Sequence, residues 1–135
     1  MKRVAQCCCG TLRFEADGDP AAVVACHCGQ CQRRTGSVLG VGAYYPNASI
    51  RVLGPSKLFT RLADSGRKFK THFCPDCGTS LYWESERNPG MIGVAVGAFT
   101  DPQFPAPVRS VWEESRHSWV SFTHSLDHFP RRRES

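Results

Sequence analysis

Long apolar runs are missing from this sequence. Its mostly apolar stretches, such as "VLGVGAYY", fall far short of the roughly 20 residues that a membrane-spanning helix needs, so no membrane partner is expected. The start, "MKRVAQCCCG", is basic but lacks the apolar segment of a secretory signal, and the chain is therefore expected in the cytoplasm. No amphipathic helical pattern lasts three turns, and there are no internal repeats or low-complexity segments, which argues against helical bundles and solenoids. With 41% hydrophobic and 21% charged residues, composition is ordinary and does not separate an enzyme from a binding module.

What is present is short alternation. In "TLRFEA", "RKFKTHF" and "SLYWE" apolar and polar residues take turns, as they do in half-buried strands. "AVVAC", "SVLGVGAYY", "SIRVLG", "KLFTRLA", "MIGVAVGAF" and "VRSVWEE" are further strand candidates. Turn signals at Asp17-Gly18, Gly54-Pro55, Ser65-Gly66 and Asn88-Pro89-Gly90 separate them. Only "GQCQRRTG" is expected to make a turn or two of helix. At 135 residues the chain is expected to form one mainly β domain over 1–135. Much of the basic excess behind the net charge of +5 lies in "QRRTG", "GRKFK" and the tail "PRRRES". Because the basic residues are scattered and no C₂H₂-type finger is present, no nucleic-acid partner is expected. Like charges repel, so the tail over 123–135 is expected to be solvated and flexible.

The eight cysteines fall into three tight clusters. In a reducing compartment such clusters read as metal thiolates rather than disulfides. Cys7 and Cys9 form a C-x-C-G hook, and Cys74 and Cys77 form a C-P-x-C-G knuckle in which Gly78 lets the backbone turn around sulfur. Zinc takes four thiolates tetrahedrally, and two chelating loops from distant strands can supply them. Cys7, Cys9, Cys74 and Cys77 are therefore expected to hold a closed, structural zinc. Cys8, between two chelating neighbours, should point away from it.

Cys26, Cys28 and Cys31 remain, in "ACHCGQCQRRTGS". Three protein ligands and an exchangeable fourth position are the arrangement of catalytic zinc sites, so a second, open zinc is expected here, giving two ions per chain with the second site filled in full or in part. His27, His72 or Cys8 could instead close the site. The triad could also store or sense metal, or act unmetallated as a redox group. His27 is flanked by chelating neighbours on both sides and is expected to face the pocket or the core.

With these residues assembled, the chain resembles the glutathione-dependent formaldehyde-activating family, whose zinc-binding domain is also found in centromere protein V. The resemblance rests on "CCCGTLRF", "CHCGQCQRRTGS" and "HFCPDCGTSLYW" in that order, with a fainter echo in "VWEESRHSW", and covers about 5–122. It implies a β-tent fold, two β-sheets leaning together over a structural zinc. Cys7, Cys9, Cys74 and Cys77 match that zinc's ligands, and Cys26, Cys28 and Cys31 match the catalytic ones. The implied activity is the condensation of glutathione with formaldehyde, carbon-sulfur lyase chemistry in reverse.

The triad's chemistry agrees with a thiol substrate. Three cysteinates leave a divalent ion a weak Lewis acid, better at holding a soft thiolate than at polarising water. Glutathione carries two carboxylates and one ammonium, and Arg33 and Arg34, directly after the triad, are the nearest forks for a carboxylate. Lys57, Arg61, Lys68 and Lys70 lie on expected strands, with their faces open. Tyr44, Tyr45, Trp83 and Phe99 could wall a pocket, although core packing suits most of them. The competing reading is a zinc-stapled binding module without catalysis. The exact thiol and aldehyde and the oligomeric state stay open.

Overall fold

The structure, a computed structural model, describes residues 1–133. Among these the strands are β1 (Lys2–Gln6), β2 (Arg13–Asp17), β3 (Ala22–Cys26), β4 (Gly40–Pro46), β5 (Ile50–Leu53), β6 (Lys57–Leu62), β7 (Lys68–Phe73), β8 (Ser80–Ser85), β9 (Met91–Ala95), β10 (Arg109–Val111) and β11 (Asp127–His128), with one α-helix, α1 (Gly29–Thr35). They form two sheets, one ordered β1-β2-β5 and a larger one ordered β11-β10-β3-β4-β9-β8-β7-β6. The mainly β, two-sheet architecture expected from alternation and family resemblance is thus present. No helix among the described residues is long and apolar enough to cross a membrane.

The period of two divides the larger sheet into two faces, except that a bulge where β7 meets β8, at His72/Phe73, sends Leu81 and Trp83, two residues apart, to opposite sides. One face packs on the smaller sheet: Val23, Ala43, Tyr45, Leu81, Ile92 and Val94 meet Ala5, Leu12, Phe14 and Ala16 in a shared core. Each fully buried Leu, Val or Phe side chain there contributes about 1.5–3 kcal/mol relative to exposure. Tyr45 is buried together with its polar end, and its hydroxyl donates to the Gly18 carbonyl at 3.2 Å, which avoids the cost of an unpaired phenol.

The opposite face carries the alternate residues, Cys26 of β3, Tyr44 of β4, Trp83 of β8 and Arg109 of β10 among them, and these line a cavity. Gly42 and Gly93 are needed on this face. An added Cβ would come within 2.7 Å of the Trp83 ring at Gly42 and 2.2 Å of it at Gly93, so only glycine lets the indole lie against the sheet.

Three stretches depart from expectation. β1 carried no recognised strand signal in the sequence, yet it pairs along its length with β2. The strand in "MIGVAVGAF" stops at Ala95, where a 3₁₀ turn over Val96–Phe99 tucks Phe99 into the core. "VRSVWEE" gives only three strand residues before Trp112 turns into the left-handed region at φ 58°.

The basic tail differs most. Through Arg133 its side chains are mostly exposed, as expected of a solvated end, but its backbone is tied to the fold: β11 pairs in parallel with β10, and the amides of Trp112 and Glu113 donate to the carbonyls of Arg131 and Phe129 at 2.9 and 3.1 Å. Two of its arginines have carboxylate partners: Arg131 reaches Glu114 at 3.1 Å and Arg132 reaches Asp64 at 3.2 Å, so repulsion among the arginines does not detach the segment from the sheet. The last two residues of the expected tail, Glu134 and Ser135, lie outside the described residues.

Candidate metal centres

The first cysteine group forms where the two sheets meet, because the hook follows β1 and the knuckle follows β7. Both loops close in the same way. The Cys7 amide donates to Leu12 O at 2.9 Å and the Gly10 amide to Cys7 O at 3.0 Å; the Cys74 amide donates to Thr79 O and the Gly78 amide to Cys74 O, both at 2.9 Å. Gly10 and Gly78 sit at φ 81° and 77°, a left-handed conformation that glycine adopts without a Cβ penalty.

As a result the sulfurs of Cys7, Cys9, Cys74 and Cys77 lie within 4.8 Å of one another, with Cys7 3.6 Å from Cys9 and Cys9 3.7 Å from Cys74. Thiolates held about 2.3 Å from a tetrahedral zinc stand about 3.8 Å apart. The donor set therefore fits zinc in chemistry and in spacing. The surroundings divide the sulfurs: the Thr79 hydroxyl, 3.2 Å away, and the Thr79 amide bring Cys77 down to about 5, while at Cys74 the lowering by the Cys77 amide is outweighed by burial and the Cys9 and Cys7 thiols, which push it up to about 11. Burial pushes Cys7 up, but the Leu12 amide and the neighbouring thiols more than offset it and leave Cys7 below its usual value.

Cys8 takes no part in this group. It is exposed, and its amide donates to the Thr79 hydroxyl at 3.1 Å. Cys8→Ala should therefore leave metal content and melting temperature as in the parent protein. Loss of one metal equivalent, measured by elemental analysis, would show that Cys8 ligates.

The second group is built by the end of β3 and the start of α1. Cys26 closes the strand, Cys28 is the helix N-cap whose sulfur accepts from the Cys31 amide at 3.3 Å, and Cys31 lies one turn in. The helix stops at Gly36, which turns left-handed at φ 72°. The three sulfurs lie within 4.8 Å of one another and line the cavity. They share charge unequally. Hydrogen bonds from Cys26 and Cys31 hold Cys28 at about 2, and the Cys28 thiolate in turn pushes Cys26 up. A soft, partly anionic trio open on one side fits a thiophilic divalent ion.

None of the side chains considered as a closing ligand joins this trio. His27 is buried on the far side of the strand, where its Nε2 lies 2.9 Å from Ser110 Oγ and its ring meets the Phe122 edge. His72 pairs with Glu84 at 3.0 Å and stacks on Tyr82 at 4.4 Å between ring centroids. Cys8 belongs to the other loop.

Ser110 links His27 to Glu113. Burial alone would raise the Glu113 carboxyl, but hydrogen bonds from His128 and from the Ser110 hydroxyl hold it below the usual range. Neither Ser110 nor Glu113 was among the candidate site residues, because their partners lie on other elements.

The cavity has a volume of about 1230 Å³. Arg33 and Arg34 line it. Arg34 is stacked 4.4 Å over the Trp83 ring, and Arg33 folds back against Gly29. Arg61 is also in the lining, whereas Lys57, Lys68 and Lys70 are not. Tyr44 and Trp83 form part of the wall, with Trp83 Nε1 donating to the Tyr44 hydroxyl at 3.2 Å, while Tyr45 and Phe99 belong to the core.

One premise of the sequence reading is corrected here. The arginines are scattered along the chain but not in space, because Arg87, Arg109, Arg132 and Arg133 join Arg33, Arg34 and Arg61 around this one cavity. No local sequence signal carries that convergence. It arises from sheet order and from the returning tail.

Comparison with known proteins agrees with this geometry. The family described as glutathione-dependent formaldehyde-activating enzyme matches over residues 2–115. A protein of Fusarium vanettenii, provisionally named a glutathione-dependent formaldehyde-activating enzyme, is 26% identical over 123 residues, which cover 78% of this chain and 65% of the fungal protein. This chain thus spans less than two thirds of that relative's length. A crystal structure of a Rhodobacter sphaeroides protein superposes with a TM-score of 0.55 at 27% identity, covering 73% of this chain and 86% of the other. With the family matched across 2–115, both cysteine groups included, the chain belongs to the glutathione-dependent formaldehyde-activating enzyme family.

Proposed function

We propose that this protein adds a thiol of the glutathione type to a small aldehyde such as formaldehyde, or reverses that addition, as a carbon-sulfur lyase. The observation that carries this reading is the open trio: the sulfurs of Cys26, Cys28 and Cys31 converge on a cavity wall, and no fourth His, Cys, Asp or Glu ligand joins them among the described residues. Zinc held by three thiolates would supply an exchangeable position for a fourth, soft ligand such as a substrate thiolate.

The chain's own residues do the rest. To Arg33 and Arg34, which line the cavity at the end of α1, we assign the forking of the carboxylates of the thiol's body. In the addition a sulfur-carbon bond forms, the carbonyl π pair moves onto oxygen, and that oxygen takes up a proton in place of the one lost by the thiol. Tyr44 lines the cavity and is kept protonated by burial, which raises its pKa. Its hydroxyl is the group we assign to donate a hydrogen bond to that oxygen, which takes its proton from solvent while solvent receives the one lost by the thiol. Holding sulfur and aldehyde together supplies most of the acceleration, by proximity.

This reading includes two zinc ions per chain, one in each cysteine group, a single zinc-stapled domain over 1–135 and a cytoplasmic location. Seven cysteines grouped as ligand sets, which oxidation would destroy, support a reducing compartment. Cobalt-substituted protein titrated with glutathione tests it. The cobalt-thiolate charge-transfer band should change, with proton release, and binding should weaken as pH falls and protons compete for the thiolate. A band unmoved by millimolar thiol, with both groups metallated, would instead make the protein a zinc-stapled binding module.

A further inference from the structure

Beyond Arg33 and Arg34, the cavity carries more positive charge than a glutathione-type thiol can use. Arg61, Arg87, Arg109, Arg132 and Arg133 line it, and Asp64 is the single carboxylate among the described lining residues. That carboxylate is already engaged by Arg132 at 3.2 Å. The guanidinium groups press on one another: burial lowers the Arg87 pKa and the charges of Arg132, Arg67 and Arg133 lower it further, while burial and Arg133 lower that of Arg109 by more than Tyr44 and the Asp127 carboxylate raise it. Cations gathered in a part-desolvated cleft form a field that an anion completes.

Glutathione completes it poorly. Its two carboxylates are offset by an ammonium, and that ammonium would enter a cavity whose only described carboxylate is paired with Arg132. The cavity is also large. Its volume of about 1230 Å³ exceeds the roughly 300–1,000 Å³ of ordinary small-molecule pockets.

The aromatic faces beside these arginines are already covered: Phe69 and Trp83 stack at 6.4 Å between centroids, with Arg61 and Arg34 each 4.4 Å over one of these rings. A ligand for this wall offers several anionic groups and no cation of its own. Guanidinium forks match phosphate oxygens two at a time.

The geometry points to a thiol whose body carries phosphate esters, its sulfur at the triad and its phosphates among Arg61, Arg109 and Arg133. This rests on the thiol reading of the triad and narrows it from glutathione to a more anionic class.

The test titrates cobalt-substituted full-length protein with coenzyme A, glutathione and ADP, following both the charge-transfer band and binding heat. Coenzyme A should bind about tenfold or more tightly than glutathione, as expected for added charge-assisted contacts, and this advantage should shrink at high ionic strength. ADP, which has no sulfur, should displace coenzyme A without producing a thiolate band. Arg109→Gln and Arg133→Gln should each weaken coenzyme A by about tenfold, with the band shift caused by glutathione intact.

Coenzyme A binding no tighter than glutathione, or unaffected by ADP, overturns the inference, and a glutathione-induced band shift in the same titration would leave the thiol reading standing. Coenzyme A and ADP binding at the arginines with no thiol moving the band would support the phosphate-ester site and overturn the thiol reading.

Discussion

Replacing Cys74 with serine is expected to unfold the protein. Cys74 is fully buried in the shared core, and its sulfur belongs to the one group that ties the loop after β1 to the loop after β7. The free energy of metal binding in structural thiolate sites is on the order of 10 kcal/mol. Whole domains are stable by only about 5–15 kcal/mol, so a fold that depends on such a site has little left without it. The core alone is modest in a chain of 135 residues, and all eight cysteines are free thiols, so no disulfide replaces the missing staple.

Circular dichroism and elemental analysis should show Cys74→Ser as insoluble or without a cooperative melt, with the metal of this group lost. The same collapse should follow when a strong chelator strips the parent protein. A variant that melts like the parent would remove the structural role from this group.

Much of the site was legible because its parts are local. A C-x-C-G hook and a C-P-x-C-G knuckle each announce a tight chelating loop within five residues, and the structure gives both loops the same amide-to-carbonyl closure and a left-handed glycine. The triad was legible for the same reason, since strand end, N-cap and first helical turn are contiguous. Alternation located β2, whose Phe14 and Ala16 are buried between more exposed neighbours, and it marked β7 and β8 as strands although β7 is half-buried almost throughout and a bulge sends Leu81 and Trp83 of β8 to opposite faces.

What stayed hidden depends on pairing between distant segments. β1 has one fully buried residue, Ala5, among polar neighbours, too little contrast to mark a strand before its partner is known. The arginine-lined wall needs the register that sets Arg61 opposite Phe69 and Cys26 opposite Val111, and it needs a tail that returns to the sheet. Charge repulsion argued for a free tail, but Glu114 and Asp64, invisible to a local reading, receive its arginines. His27 shows the opposite case. Its place between two chelating cysteines already argued against ligation, and the fold turns it inward onto Ser110.

Cys28→Ser should separate metal from fold in the second group. Cys28 has two jobs: its sulfur belongs to the open trio, and it caps α1 by accepting from the Cys31 amide. Serine is among the best N-cap residues, so the hydroxyl takes over the cap, whereas alanine would lose about 1 kcal/mol of helix stability. The variant should therefore melt within a few degrees of the parent while its second metal is lost. Thiol-induced changes in the cobalt band should vanish, and catalysed adduct formation should fall to the background rate, because two remaining thiolates neither hold the ion nor present an open position. Cys28→Ala should show the same metal loss plus the added cost of the missing cap. If Cys28→Ser keeps its full metal content and still answers to glutathione, the open trio is not where the thiol binds, and the reaction must be sought on another wall of the cavity.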